Sequence, residues 1–383
     1  MMLFKLIHYA WRSIMRNKAR SILTVFGIAA AMFLFTFIEG LQNGVKAATE
    51  SSATQNMLIV YQKSRFCPAT SSLPERYADV IRRMPEVESV LPVKIFVNNC
   101  RASLDSITFK GVPEAAVTDG RVPMTIIAGS AEDFKKRTDG ALVGQRLASR
   151  RGLKVGDRFT VGTVGVQVSG IFASTVPGED NLAYSHLEFL QRARGVDSLG
   201  HVTQFEVALK SARDANTVSR RIDADFKSDE IATNTKTHKA HIASATGDLL
   251  NLIRFTRWLG LLCVLVVLAL TANTIYVMVQ DRVREHAVLQ TLGFRGRQLF
   301  FLVVTESLLL ALFGGALGTA VATALLEYGN LGLGAEGVQI SFLLSPIVIV
   351  IGLAASALTG LLAGLLPALQ AATAPIVDSL RRA

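Results

Sequence analysis

The sequence predicts an α-helical membrane domain of four spans that carries an extracytoplasmic α/β domain with a small β-rich insertion, raised on a helical stalk. Three observations predict it. Apolar residues make up 50% of the 383 positions, yet they are gathered into four windows. One long polar segment separates the first window from the second. The parts of the chain at the termini and between spans two and three carry 11 Lys and Arg against 3 Asp and Glu.

The windows come first. No charged residue occurs between Ser21 and Ile38 or between Trp258 and Gln280, the window 299–326 contains only Glu306, and a fourth window covers 342–366. A bilayer core of about 30 Å needs about 20 helical residues, so the spans are placed at 21–40, 258–280, 299–326 and 342–366. Residues 1–20 carry Lys5, Arg12, Arg16, Lys18 and Arg20 without an acid, the 281–298 linker carries Arg282, Arg284, Arg295 and Arg297, and the 367–383 tail carries Arg381 and Arg382. The positive-inside rule puts these parts in the cytoplasm and leaves 41–257 and the short 327–341 loop outside. The net charge of +10 therefore mostly records topology, which argues against a nucleic-acid partner. Within 1–20, Phe4, Ile7, Trp11 and Ile14 share one helical face, and Lys5, His8, Arg12 and Arg16 another. Such a helix lies flat in the cytoplasmic interface among lipid headgroups. No small-residue cleavage site follows the first apolar run, so an uncleaved anchor is expected.

The segment 41–257 has to fold in water. Residues 56–62, 89–97, 106–112 and 201–210 read as strands, and 74–84 and 215–226 as helices, which together describe an α/β lobe built from two separated stretches. Between them, 113–200 has short β-like runs broken by Gly and Asp and is expected to be the β-rich insertion. The flanks read as stalk helices; Ile242, Ala245, Leu249 and Leu252 recur at helical spacing before span two.

No G-x-x-x-x-G-K-[ST] occurs in the chain, and no nucleophile–base set or Cys/His cluster stands out. No enzymatic role is expected, and no metal site. His238 and His241, at i and i+3, read as a solvated face more readily than as ligands. Cys67 and Cys100 both fall in the external domain, where an oxidising compartment would allow a disulfide; two free thiols remain the alternative. In the 281–298 linker, Val288, Leu289 and Leu292 form a short apolar stripe and Gly293 is placed to stop a helix. A short amphipathic helix in the cytoplasm needs either a partner's groove or the lipid surface to cover that stripe. In the membrane, Gly314-x-x-x-Gly318 and Gly360-x-x-x-Gly364 permit close helix approach, within the chain or to a second copy. Glu306 requires a proton or a partner, and Asn273 suits a helix-to-helix hydrogen bond.

The stretches "MRNKARSILTVFGIA" (15–29), "DRVREHAVLQTLGFRGRQLFFLVVTESLLLALFGGALGTAVA" (281–322) and "LPALQAATAPIVDSLR" (366–381) resemble the membrane domain of FtsX-like permeases. The external "GALVGQRLASRRGLKVGDRFTV" is similar to the MacB-type periplasmic core. The resemblance implies a multi-pass permease of the bacterial inner membrane, belonging to the mechanotransmitting ABC transporters that include the lipoprotein-releasing permeases. It further implies ATP and Mg bound by separate cytoplasmic ATPase subunits, a second permease copy, identical or not, and a periplasmic adaptor or acceptor. The linker becomes a coupling helix, with Arg284, Glu285, Val288, Leu289, Leu292 and Gly293 at the ATPase. Where the family writes "EIGxLRALG", this chain has His286 and Gln290 among its departures. A lipidated, amphipathic or periplasmic cargo fits four spans with few polar groups between them. A signalling permease that activates a cell-wall hydrolase, and a sensor without ATPase, are the competing readings.

Overall fold

The computed structural model describes residues 16, 18–49, 55–65, 68–98, 106–176, 178–245, 247–328, 332–335, 338–341, 346–373 and 375. The interfacial face of Phe4, Ile7, Trp11 and Ile14, the pair Cys67 and Cys100, and the arginines of the tail lie outside the described residues, as do the side chains of Leu249 and Leu252. The chain divides into two compact units. One comprises Met1–Gln42, Leu252–Tyr328 and Leu344–Ala383, the other Asn43–Asn251 and Gly329–Leu343.

Helix α1 (Lys18–Thr49) opens the chain and contains the first span. The second unit then begins with β1 (Met57–Gln62), β2 (Leu73–Pro74), α2 (Tyr77–Arg82), β3 (Val87–Val97) and β4 (Thr108–Val112). It continues with α3 (Glu114–Thr118), β5 (Met124–Gly129), α4 (Ala131–Lys135), β6 (Gly140–Gly144), α5 (Gln145–Arg151), β7 (Arg158–Val161), β8 (Val164–Ser174), β9 (Ala183–His186) and α6 (Leu187–Ala193). It returns through β10 (His201–Val202), β11 (Gln204–Leu209), α7 (Ala215–Asp225), β12 (Thr233–Thr237) and α8 (His238–Ala245).

Among the described residues the main sheet runs β12-β1-β11-β3-β4-β9-β6-β8-β5, with β7 on β8. The long strand β3 holds it together: its first part, from Val87 to Val93, pairs with β11, and Lys94 to Val97 pair with β4. The strands of 113–200 extend this same sheet, because β9 pairs in parallel with β4. The segment is rich in strands, β5 to β9, with four short helices, α3 to α6, between them. Tyr77, Ile81, Val218 and Ile222 of α2 and α7 pack with Val60 and Phe205 of the sheet in one core. Two further cores form around Phe134, Phe172 and Tyr184 and around Phe109, Phe159 and Leu190. Apolar side chains leaving water on this scale supply the main favourable contribution to folding.

The first unit holds α9 (Gly247–Asp281), α10 (Val283–Thr291), α11 (Gly296–Tyr328) and α12 (Pro346–Thr373). With α1 it provides four helices long and apolar enough to cross a membrane, in the expected order. The connection after α11, expected as a loop, is a hairpin of β13 (Gly332–Ala335) and β14 (Val338–Ser341), in which Ala335 pairs with Val338. It belongs to the second unit.

Candidate functional site

Spans one, three and four form a seam of small residues, and the glycine pairs lie in it. A Cβ on Gly314 would come within 2.7 Å of Ile28 Cβ, and one on Gly318 within 2.2 Å of the Ala29 carbonyl oxygen, so both glycines admit α1. A Cβ on Gly360 would meet Ala311 Cβ at 2.5 Å, and one on Gly364 would meet Ser307 Oγ at 2.1 Å, so this pair admits α11. Thr36 Oγ1 and Thr319 Oγ1 lie 3.4 Å apart across the first seam. Both pairs therefore pack inside the subunit, resolving the choice that the sequence leaves open. In lipid, where apolar burial drives no association between helices, backbone approach of this kind is what holds them.

The linker helix α10 begins at Arg282, whose Nη1 lies 3.4 Å from Glu306 Oε1 in span three, with side-chain exposures of 9% and 5%. Glu306 thus has the partner that its position requires. The next acid, Glu285, accepts from Arg16 Nη1 at 2.8 Å, at the surface. Between these ties, His286 and Ala287 are buried. Burial, then the neighbouring Arg282 charge, lowers the pKa of His286 and keeps its ring neutral. The helix ends as its glycine predicts: Gly293 has φ +97°, its N–H donates to Gln290 O at 3.0 Å, and the Phe294 N–H donates to Leu289 O at 3.0 Å. This is a Schellman motif, which satisfies the last carbonyls. Gln298 Oε1 then accepts from the Arg295 N–H at 2.8 Å and caps the start of α11. Arg284 is exposed on the helix and Leu289 partly buried.

The apolar stripe divides on inspection. Val288 is 45% and Leu292 74% exposed, and Phe294 beyond the helix stop is 41% exposed. The buried side of α10 is instead His286 and Ala287, the His standing where the family pattern has Ile. The site therefore has an inner side fixed to spans and an outer side of exposed apolar groups. Asn273 is exposed on span two, and its expected helix-to-helix bond is not among the contacts of the described residues.

In the second unit a polar cluster surrounds Lys110. Its Nζ donates to Glu179 Oε1 at 3.0 Å and Glu206 Oε1 at 3.1 Å, and Gln204 Nε2 donates to Glu206 Oε1 at 3.0 Å. Burial alone would lower the Lys110 pKa, but Glu206 and Glu179 outweigh it and hold the ammonium above its usual range. His241 is buried with its ring 5.6 Å from Tyr61, and His238 Nδ1 is buried without a hydrogen-bond partner. Burial lowers both imidazoles to about 4. His241 is a buried residue of α8 and His238 a half-buried one, not the solvated face that their polar neighbours suggest. Among the described residues, no three His, Cys, Asp or Glu side chains are grouped to hold a metal ion. Gln339 of the hairpin enters the same unit: its Nε2 donates to Thr108 Oγ1 at 3.0 Å and Ser106 O at 3.2 Å, and its Oε1 accepts from Asn181 at 3.4 Å. Sequence reading missed Gln339; a lone amide in a Gly-rich connection gives no periodic signal.

Against known proteins, residues 22–225 match the MacB-like periplasmic core domain and residues 258–376 the FtsX-like permease C-terminal domain. The chain is 24% identical to an uncharacterized ABC transporter permease protein of Mycobacterium tuberculosis, over 97% of this chain and 43% of that one. It is 26% identical to the macrolide export ATP-binding/permease protein MacB of Escherichia coli K12, over 97% of this chain and 60% of MacB. It therefore spans about half the length of these relatives. Among solved structures, the periplasmic region of MacB from Actinobacillus actinomycetemcomitans aligns at a TM-score of 0.36 and 9% identity over 51% of this chain and 96% of that one. The extracellular domain of YknZ, a noncanonic ABC-type transporter from Gram-positive bacteria, aligns at 0.34 and 15% over 47% of this chain and 100% of that one. With two family matches that between them take in both units in the order expected, the chain belongs to the FtsX-like, MacB-type family of ABC transporter permeases.

Proposed function

We propose that this chain is the permease subunit of an inner-membrane ABC transporter, with both termini cytoplasmic, driven by separate ATPase subunits that bind ATP and Mg. The observation that carries this reading is the two-sided linker helix. Arg282 and Glu306 fasten α10 to span three, while Val288, Leu292 and Phe294 stay 45%, 74% and 41% exposed among the described residues. A partner groove that covers those three side chains gains their burial at about 25 cal/mol per Å². Movement of the ATPase would then pass through the ion pair into the membrane helices. Helices α1 and α9, of 32 and 35 residues, support its transfer toward the outer domain, since each extends beyond its apolar span. The name of MacB joins ATP binding with a permease, and this chain takes the permease role, paired with a second permease copy. Its cargo is lipidated, amphipathic or already periplasmic, passed to an adaptor or acceptor; the close packing of small residues, Gly, Ala, Ser and Thr, in the seams between spans supports this over a polar channel.

Purification of the full chain from native membranes in mild detergent tests this reading. An ABC ATPase should copurify, and recovery of the permease without one overturns it. A cysteine placed at Ser198 should react with a membrane-impermeant reagent from outside, and one at Gly296 should not. Cargo bound to the outer domain supports transport, whereas a bound hydrolase without cargo supports signalling.

A further inference from the structure

The cluster around Lys110 in the outer domain holds more buried charge than it balances. The side chains of Lys110, Glu179 and Glu206 are only 12%, 13% and 10% exposed, and one ammonium stands against two carboxylates, which leaves one negative charge over. Charge taken out of water in this way is costly unless it is compensated. Two further cations of this region, Arg121 and Lys236, are turned to Asp119 and to Ser244.

The cluster borders a cavity of about 60 Å³, whose wall also includes Gln204, His238 and Gln339, with Ile59, Ile95 and Ile242 as its apolar part. Gln204 is 4% exposed; its Nε2 is committed to Glu206, and its Oε1 is buried with no hydrogen-bond partner among the described residues. His238 Nδ1 is in the same condition, and it accepts a hydrogen bond when the ring carries its proton on Nε2. Burial keeps this imidazole neutral, so it does not supply the balancing charge. Two idle acceptors beside an uncompensated negative charge call for a small cation that donates hydrogen bonds. Hard metal cations take oxygen ligands and would leave Nδ1 unused. An ammonium group has three donors, one each for Gln204 Oε1, His238 Nδ1 and the Glu206 carboxylate. The cavity has room for a few water-sized groups, which limits what the ammonium carries to a short alkyl chain. We propose that this cavity is a binding site for a small primary amine in its ammonium form, held by Gln204, His238 and Glu206, with its alkyl part toward Ile59 and Ile95. Gln339 stands in the same wall, so the bound amine lies beside a residue of the connection between spans three and four. The site stands independently of the ATPase partner.

Equilibrium dialysis of the full-length protein in mild detergent, with labelled methylamine at neutral pH, tests it. Methylammonium should bind saturably at a single site per chain. Ammonium chloride should displace it, whereas sodium chloride and tetramethylammonium chloride, which donate no hydrogen bonds, should not. Glu206→Gln and Gln204→Leu should weaken binding about ten- to hundredfold, as loss of a charge-assisted hydrogen bond does. Glu188→Gln, at an exposed carboxylate of α6, should leave it unchanged. Protease resistance of the outer domain checks that each variant folds; where the first two do not, His238→Phe, which keeps a ring and removes Nδ1, decides by the same criterion. No saturable binding, displacement by sodium as readily as by ammonium, or unchanged binding in the folded variants overturns the proposal. Absence of an ATPase from the same preparation bears on the permease reading alone.

Discussion

The two units of this molecule cohere by opposite means. The outer domain hides large side chains from water: Tyr77, Phe109, Phe134, Phe172, Tyr184 and Phe205 are all among its fully buried groups. The membrane unit holds together where side chains are nearly absent, at Gly314, Gly318, Gly360 and Gly364, and at one buried ion pair. Solvent explains the contrast. Water drives apolar groups inward, whereas lipid gives helices no such drive, so close backbone contact and polar pairing take over.

The largest effects come from removing what each unit depends on. Glu306→Ala leaves Arg282 buried without its main partner and should cost about 3–5 kcal/mol, read as lower thermal stability of the detergent-solubilised permease. Replacing both by Leu should recover most of the loss; equal loss in single and double variants would mean that the pair is incidental. Phe205→Ala in the outer core should cost a similar 3–5 kcal/mol through lost transfer energy and a cavity, seen as protease sensitivity of that domain with the spans still inserted. Within the membrane unit, enlargement should hurt the seam and spare the exposed side of span two. Gly318→Leu drives a side chain into the Ala29 carbonyl and should cost about 1–3 kcal/mol or more, whereas Ala269→Leu on the exposed side of span two should leave the subunit's own fold intact.

A smaller effect is pH-dependent and confined to the outer domain. His238 and His241 have folded pKa values of about 4, below the ordinary 6.5, so protons favour the unfolded chain. Stability is unaffected above about pH 6.5 and falls as the pH drops from there toward 4. Hydrogen exchange of the outer domain should register a loss of a few kcal/mol over that window. The double change His238→Gln and His241→Gln should flatten the slope, and an unchanged slope would place its origin elsewhere.

The contrast also explains what could be read in advance. Spans, strands and the helix stop at Gly293 are legible because each follows from local periodicity or from one residue's backbone preference. The pairing of Glu306 was legible as a need but not as an answer, since Arg282 lies 24 positions away on another helix. The burial of His241 is not legible because its neighbours in sequence, Lys236 and Lys239, are polar, while burial is decided by the packing of α8 on β1 and β12. For Asn273 a helix-to-helix bond is legible, but only the arrangement of the helices reveals that it faces outward. Gln339 needed the hairpin to be folded onto Thr108 before its role existed at all.

The central claim is that the outward side of α10 is the seat of a separate ATPase. The direct measurement is ATPase copurification with the double variant Val288→Asp and Leu292→Asp, set beside Gln298→Glu as a surface control. Truncating well-packed anchors costs about 1–3 kcal/mol each, and charge in their groove adds to that. The account predicts that the double variant inserts, keeps a protease-resistant outer domain and loses the ATPase, while the control retains it. An intact complex with the double variant would mean that the stripe faces lipid, and coupling through α10 would be contradicted.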